Sequence, residues 1–265
     1  MVFKYNPFTN NLDDAGSSGS SFPTASSIPD GQLISGFDGT VQWYDPLKHF
    51  IMFDDFFTTY SHSWLAWDQA GSGNTFRQNS SDYEYAGHPG VQALELDNTA
   101  EWGVQKLGQY GGYGGYVPGG GRTYLHWVAK IGTLSDATRD FKVKIGIQNA
   151  ESATWENGFW FEYNHGVNSG NWVSVVDDGG TQSTGNSSTA ADTDFHTFSI
   201  EINAAGTSIK FSIDGTELAN SPITTNIPIT NMAPAIGMEL TAGDGTKRYL
   251  AWDQFYMYQE LTTTR

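Results

Sequence analysis

The chain has 265 residues, a formal net charge of −16 and no cysteine. Acidity on this scale repels phosphate backbones and anionic bilayer surfaces, which argues against nucleic-acid binding, and the missing thiols exclude disulfide frameworks, thiolate metal sites and cysteine nucleophiles. An aromatic share of 14% and 31 glycines favour wide sheets joined by tight turns, and the length suits one large sandwich or two small domains.

In chain order, residues 1–8 form a compact aromatic cluster, and residues 9–40 are rich in Ser, Gly, Asp, Asn and Pro with few apolar anchors. This composition predicts an extended arm and linker over residues 1–40. The first twenty residues lack the apolar core of a secretory signal, and no run is apolar enough to span a bilayer. The expectation is a chain that folds in the cytoplasm that makes it, without membrane insertion.

From residue 41 onward short strands alternate with turn signals. Val41–Tyr44 and His49–Phe53 flank Asp45-Pro46. Val91–Asp97 and Glu101–Leu107 flank Asn98-Thr99-Ala100, which reads as a hairpin. The run from Gly108 to Gly121 is almost all Gly and Tyr and reads as a loop.

Further on, Phe141, Val143, Ile145 and Ile147 alternate with polar or small residues. So do Phe159, Phe161 and Tyr163, then Phe198, Ile200 and Ile202, and then Ile209, Phe211 and Ile213. Asp214-Gly215 supplies a two-residue turn of the primed type. The last strands are expected at Ala233–Leu240 and Arg248–Tyr258. With no sustained helical period and no fixed repeat, residues 41–265 are predicted to form an all-β antiparallel sandwich.

Few constellations point to chemistry. Glu95 and Asp97 share one strand face, with Glu101 beyond a turn; jelly-roll glycosidases place paired carboxylates on alternate strand positions. Here the turn interrupts the pattern, so no catalytic residue is expected. The six histidines carry no metal-ligand spacing, and Asp177-Asp178-Gly179-Gly180 and Asp244-Gly245 read as turns rather than calcium loops. No metal and no cofactor is expected. Trp160 lies opposite Phe159, Phe161 and Tyr163 on its strand. With Trp155, His165 and Trp172 it is a candidate aromatic platform for a sugar ring; the alternative is burial in the core or an interface.

Two stretches carry a resemblance. The opening Phe3-Lys4-Tyr5-Asn6-Pro7-Phe8-Thr9-Asn10-Asn11-Leu12-Asp13 resembles the start of many tailed-phage virion proteins, with Asn10 where that pattern has Gly. The second runs from about His88 to Tyr258 and includes Asn157–Tyr163, Phe195–Asn203, Ser208–Gly215 and Thr225–Pro228. It resembles a concanavalin A-like jelly-roll module of phage tail and head-associated proteins. The resemblance implies a non-enzymatic virion structural protein, of tail-fibre, head-fibre or capsid-decoration type, assembled in the host cytoplasm and often trimeric.

On that reading Phe3, Tyr5, Asn6, Pro7 and Phe8 dock the arm on other virion proteins, the aromatics filling pockets and Pro7 holding Asn6 extended. A homotrimer is expected, and a host surface glycan is a possible ligand of the sandwich. The competing readings are a glycan-binding receptor-recognition lectin and a glycan-cleaving enzyme.

Overall fold

The computed structural model describes residues 3–6, 11–14, 32–35, 41–44, 47–54, 56, 67–73, 75–78, 90–98, 101–107, 115–136, 138–149 and 154–263. Chain contacts divide it into a unit of residues 1–49 with 264–265 and a unit of residues 50–263.

The first unit contains strands β1 (Phe3–Asn6), β2 (Asn11–Asp14), β3 (Gln32–Ser35) and β4 (Val41–Tyr44). They pair antiparallel as β1 with β2 and β3 with β4. The segment expected to be extended thus contains hairpin strands, and Val41–Tyr44 pairs with Gln32–Ser35 rather than with a sandwich strand. Pro7 and Phe8, named for docking, lie outside the described residues; Phe3, Tyr5 and Asn6 are β1 positions opposite Asp14, Leu12 and Asn11.

The larger unit is an all-β antiparallel sandwich of two sheets, as the alternation predicts. Its strands begin with β5 (His49–Asp54), β6 (Trp67–Ser72), β7 (Thr75–Gln78), β8 (Gln92–Leu96) and β9 (Trp102–Leu107). Then come β10 (Thr123–Ile131), β11 (Phe141–Gln148), β12 (Gly158–Asn164), β13 (Asn171–Asp178) and β14 (Thr181–Ala190). The series closes with β15 (His196–Ile202), β16 (Ile209–Ile213), β17 (Thr216–Glu217), β18 (Ala233–Leu240) and β19 (Arg248–Glu260).

The first sheet runs β17-β16-β15-β10-β19-β8-β7, with β5 also on β19, and the second runs β14-β13-β12-β11-β18-β9-β6. Inward positions of both sheets form one core. Phe141, Val143, Ile145 and Ile147 are all fully buried, and Phe161 of β12 meets Phe198 of β15 and Phe211 of β16 edge-on at 5.2 Å each. Aromatic pairs of this kind join the layers beyond simple area burial.

The β16–β17 turn is of the primed type: Asp214 has φ 50° and Gly215 φ 74°, the backbone that matches strand twist. The strands on either side of Asn98-Thr99-Ala100 do not pair as the expected hairpin, and Thr99 and Ala100 lie outside the described residues. β8 belongs to the first sheet and β9 to the second, so the chain turns a corner between layers. The Glu101 carboxylate holds that corner, accepting from Asp97 N at 2.7 Å and Asn98 N at 2.9 Å. Leu94 and Leu96 stay in the core as β8 ends, which leaves Val104 to pack on the far side of the second sheet.

Strand β14 is the edge of the second sheet. Two of its outward carbonyls are capped by side chains, Asn186 O by Asn220 Nδ2 at 3.2 Å and Ser187 O by Asn168 Nδ2 at 2.7 Å. Such caps blunt an edge that would otherwise template another strand.

Candidate functional site

The outer face of the second sheet carries the candidate site. On β11 the residues that alternate with the core set are Lys142, Lys144 and Gly146; on β12 they are Trp160 and Glu162, paired across the ladder with Gly146 and Lys144. An outward strand face normally meets water, yet Trp160 is fully buried and Trp155 is 2% exposed. The two indoles pack edge-on at 5.5 Å, in a cluster with Val104, Val173, Val175 and Ala235. This second apolar layer sits outside the sheet.

Charged groups rest on that layer. Lys144 Nζ stands 5.7 Å from the Trp160 ring centroid and 5.8 Å from that of Trp155, a cation–π arrangement. Burial pushes the Lys144 ammonium below its usual range, although Glu162 and Glu239 pull it back up. Trp160 Nε1 donates to Glu162 Oε2 at 3.1 Å, and Lys142 Nζ lies 3.8 Å from Glu239 Oε2. Lys142, Lys144, Trp155, Glu239, Gly237, Met238 and Val104 border a shallow dent of about 10 Å³ in this face, room for about one water molecule. Around it stand two ammonium groups, those of Lys142 and Lys144, and one carboxylate, that of Glu239, beside the apolar surface of Trp155 and Val104.

The predicted platform is therefore corrected. Trp155 and Trp160 do come together, but as a buried support beneath Lys144 rather than an exposed stacking surface. Trp172 is on the opposite side of the sheet, buried in the main core 4.7 Å from Phe198 and 5.9 Å from Tyr163. His165 is exposed in the turn after β12. The four residues do not make one site, because Trp172 shares the inward parity of Val176 while Val173 and Val175 face out with Trp160.

The carboxylates of the glycosidase-like pattern serve structure. Glu95 is 6% exposed and paired with Lys247 Nζ at 3.0 Å. Glu101 is engaged by the corner; burial raises its pKa, but hydrogen bonds from Asn98 and Asp97 outweigh this and hold it low. Asp177, near the end of β13, braces the β13–β14 turn, its Oδ1 accepting from Gly180 N at 2.7 Å. Among the described residues no group of three or more His, Asp or Glu is placed to hold a metal.

Two groupings escaped the sequence reading. On the first sheet Tyr124 and His126 of β10 face outward beside Tyr258 and Tyr256 of β19, and burial lowers the His126 pKa to about 4. The signal was present in the alternation of polar aromatics on both strands. The other is a clamp, with His196 Nδ1 at 2.6 Å from Asp214 Oδ2 and Nε2 at 2.8 Å from Asp192 Oδ1. Asp192 and His196 stand four residues apart, but Asp214 comes from the β16–β17 turn eighteen residues further on, a meeting that local spacing does not reveal.

Burial lowers the His196 pKa, but the two carboxylates outweigh it and the net shift is upward; the Asp192 shift is downward. A raised histidine stabilises fully below its ordinary 6.5 and loses that contribution as pH climbs through the folded value. A depressed Asp192 stabilises above its ordinary 3.8 and loses it as pH falls through its folded value. The clamp is expected to be strongest between those limits. Thermal melts of His196→Gln should lie below wild type at pH 5 and converge toward it at pH 9; a constant offset at both would refute the clamp.

Residues 87–249 match a family model described as SO2946-like, C-terminal domain. The crystal structure of a protein of unknown function, SO2946 from Shewanella oneidensis MR-1, superposes with TM-score 0.60 at 11% identity, covering 82% of this chain and 89% of that one. A structure from work on endo-acting O-glycanases of the human gut microbiota superposes with TM-score 0.51 at 13% identity, covering 79% and 98%. A carbohydrate esterase of the Shiga toxin-encoding bacteriophage phi24B is less similar, at TM-score 0.45 and 12% identity over 72% of this chain and 90% of that one. No curated protein matches the chain. Likeness at such identities concerns the fold, whereas the family model spans most of the sandwich: the chain belongs to the SO2946-like family, whose C-terminal domain it carries.

Proposed function

We propose that this chain is a lectin-like, non-enzymatic module of a tailed-phage particle that binds a host surface glycan on the outer face of its second sheet. The observation that carries the glycan reading is the depression over the Trp155–Trp160 pair. There, Lys142 and Lys144 can donate, Glu239 can accept, and the Trp155 ring and Val104 supply apolar surface. Sugars present hydroxyls that both donate and accept beside apolar C–H faces, so a mixed lining of this kind suits them.

The particle reading is supported by the resemblance of the Phe3–Asp13 opening to virion proteins. Phe3, Tyr5, Asn6, Pro7 and Phe8 dock the chain on neighbouring virion proteins, as a homotrimer. Neither nucleic acid nor membrane is a partner, in keeping with the net charge of −16.

A glycan array with the full chain tests the first part. Lys142→Ala and Glu239→Gln, both at half-exposed positions, are expected to lower apparent affinity by about tenfold, the loss of one charged hydrogen bond, at nearly unchanged melting temperature. Binding that survives both changes would remove the site, and release of reducing sugar would replace lectin with enzyme. For the second part, deletion of residues 1–12 should abolish incorporation into particles, and full incorporation would overturn the docking role.

A further inference from the structure

The outer face of the first sheet is the other broad face of the sandwich. Strands β15, β10 and β19 lie side by side there. Their outward residues meet in three rows: Glu201, Tyr124 and Tyr258, then Ser199, His126 and Tyr256, then Thr197, Val128 and Gln254. All are half-buried except Tyr258, which is 4% exposed. From Tyr124 to Val128 the rows run roughly 14 Å along the strand.

Side chains close this stretch at both ends. At one, Arg122 lies over the Tyr124 ring at 4.7 Å and pairs with Glu201 at 2.7 Å, and the Tyr124 and Tyr258 rings stand 6.2 Å apart. At the other, Lys130 is 8% exposed and lies over the Phe195 ring at 5.3 Å, where Phe195 packs on Val91, Ala93 and Ala251.

Between these ends the chemistry is uncharged. Burial lowers the His126 pKa to about 4 and raises that of Tyr256, so at neutral pH both side chains are neutral. On the neighbouring strand Lys210 is matched by Glu217 at 3.1 Å. The two rings are flanked by groups that both donate and accept, namely the Ser199 and Thr197 hydroxyls and the Gln254 carboxamide, with Ser199 Oγ 3.4 Å from His126 Nδ1. Val128 is the only aliphatic side chain in the three rows, too little for the apolar core of a protein interface. An uncharged centre also gives a phosphate or carboxylate no cation to pair with. A sugar asks for this combination, with C–H faces against aromatic rings and hydroxyls exchanging hydrogen bonds around them.

We propose that this face binds a neutral oligosaccharide, laid along β10 with one sugar ring against Tyr256. The inference goes beyond the glycan site over Trp155 and Trp160, which lies on the other sheet, and stands without it.

Neutral glucan, mannan and galactan oligosaccharides arrayed against the full chain test it. Tyr256→Ala is expected to weaken binding about tenfold, the loss of one ring contact, whereas Tyr256→Phe keeps the ring and most of the affinity. Ser199→Gln, on another strand, crowds the middle row and should weaken binding with the Tyr256 ring intact, so a Tyr256→Ala chain that folds poorly does not decide the outcome. Lys142→Ala and Glu239→Gln should leave these ligands bound. Neutral oligosaccharides that are lost with those two changes but indifferent to Tyr256→Ala and Ser199→Gln would overturn the inference and keep the site on the second sheet. Binding to none of the neutral set would also overturn it, and acidic glycans still held through Lys142 would leave the second-sheet site standing. An oligomer that dissociates in Ser199→Gln, read by light scattering, would overturn it as well, because the face would then join copies of the chain.

Discussion

Trp160→Ala is expected to destabilise the sandwich by roughly 3–5 kcal/mol, the usual cost of emptying a buried tryptophan site. The side chain is fully buried although it points away from the main core, so the loss opens a void beneath Lys144 and leaves Trp155 without its edge-on partner at 5.5 Å. Collapse of Lys144 into that space would strand its ammonium among Val173, Val175 and Ala235, which makes relaxation expensive. Chemical denaturation followed by tryptophan fluorescence measures the cost.

Trp160→Phe separates support from recognition. Phenylalanine keeps most of the packing but cannot donate to Glu162, which Trp160 Nε1 now holds at 3.1 Å. A small stability loss with a clear drop in glycan affinity is expected, since freeing Glu162 disturbs the charges around Lys144. A Trp160→Ala protein that melts like wild type would show that the outer layer contributes nothing and would undo the account of the site.

Much of this architecture could be read from residues. β11, β16 and β18 were legible because one face of each is wholly apolar, as with Ile209, Phe211 and Ile213, and the Asp214-Gly215 turn because two successive left-handed positions need such residues. β10 was missed for a physical reason: its outward face carries Tyr124, His126 and Val128, so the contrast between faces is weak. β13 was hidden by burial on both sides, Trp172 and Val176 inward and Val173 and Val175 under the outer layer. β14 has no large apolar side chain at all and exists as an edge because β13 pairs with it.

The candidate site was half legible. Alternation correctly set Trp160 opposite Phe159 and Phe161, but it says nothing about what covers an outward face. Only the return of the chain before β12 brings Trp155 over Trp160 and turns an apparent platform into a support. The lysines that line the depression drew no attention because Lys142 and Lys144 read as solvated partners of a core strand. Likewise the corner at Glu101 needed the knowledge that β8 and β9 join different sheets, which local pairing rules cannot supply.

Gly121→Ala tests how the central strand of the first sheet is launched, and it is expected to cost about 3 kcal/mol or more, beyond what backbone strain alone produces. Gly121 has φ +136°, and a Cβ there would lie 1.4 Å from the carbonyl oxygen of Glu260. The obstacle is backbone, so no side-chain rotation relieves it. Separation of the two segments would break the Glu260 N to Arg122 O hydrogen bond of 2.8 Å and loosen the first pairs of β10 with β19. Arg122 is also bound to Glu201 of β15 at 2.7 Å, which carries the disturbance into the neighbouring strand. Gly215→Ala is the control: φ is +74°, yet nothing lies within 4 Å of its would-be Cβ, so only strain of about 1 kcal/mol is expected. Hydrogen exchange should show lost protection at Thr123–Leu125 and Met257–Gln259 in Gly121→Ala and none there in Gly215→Ala. Equal melting temperatures for the two variants would mean that the close approach of Gly121 to Glu260 is not a constraint on the fold.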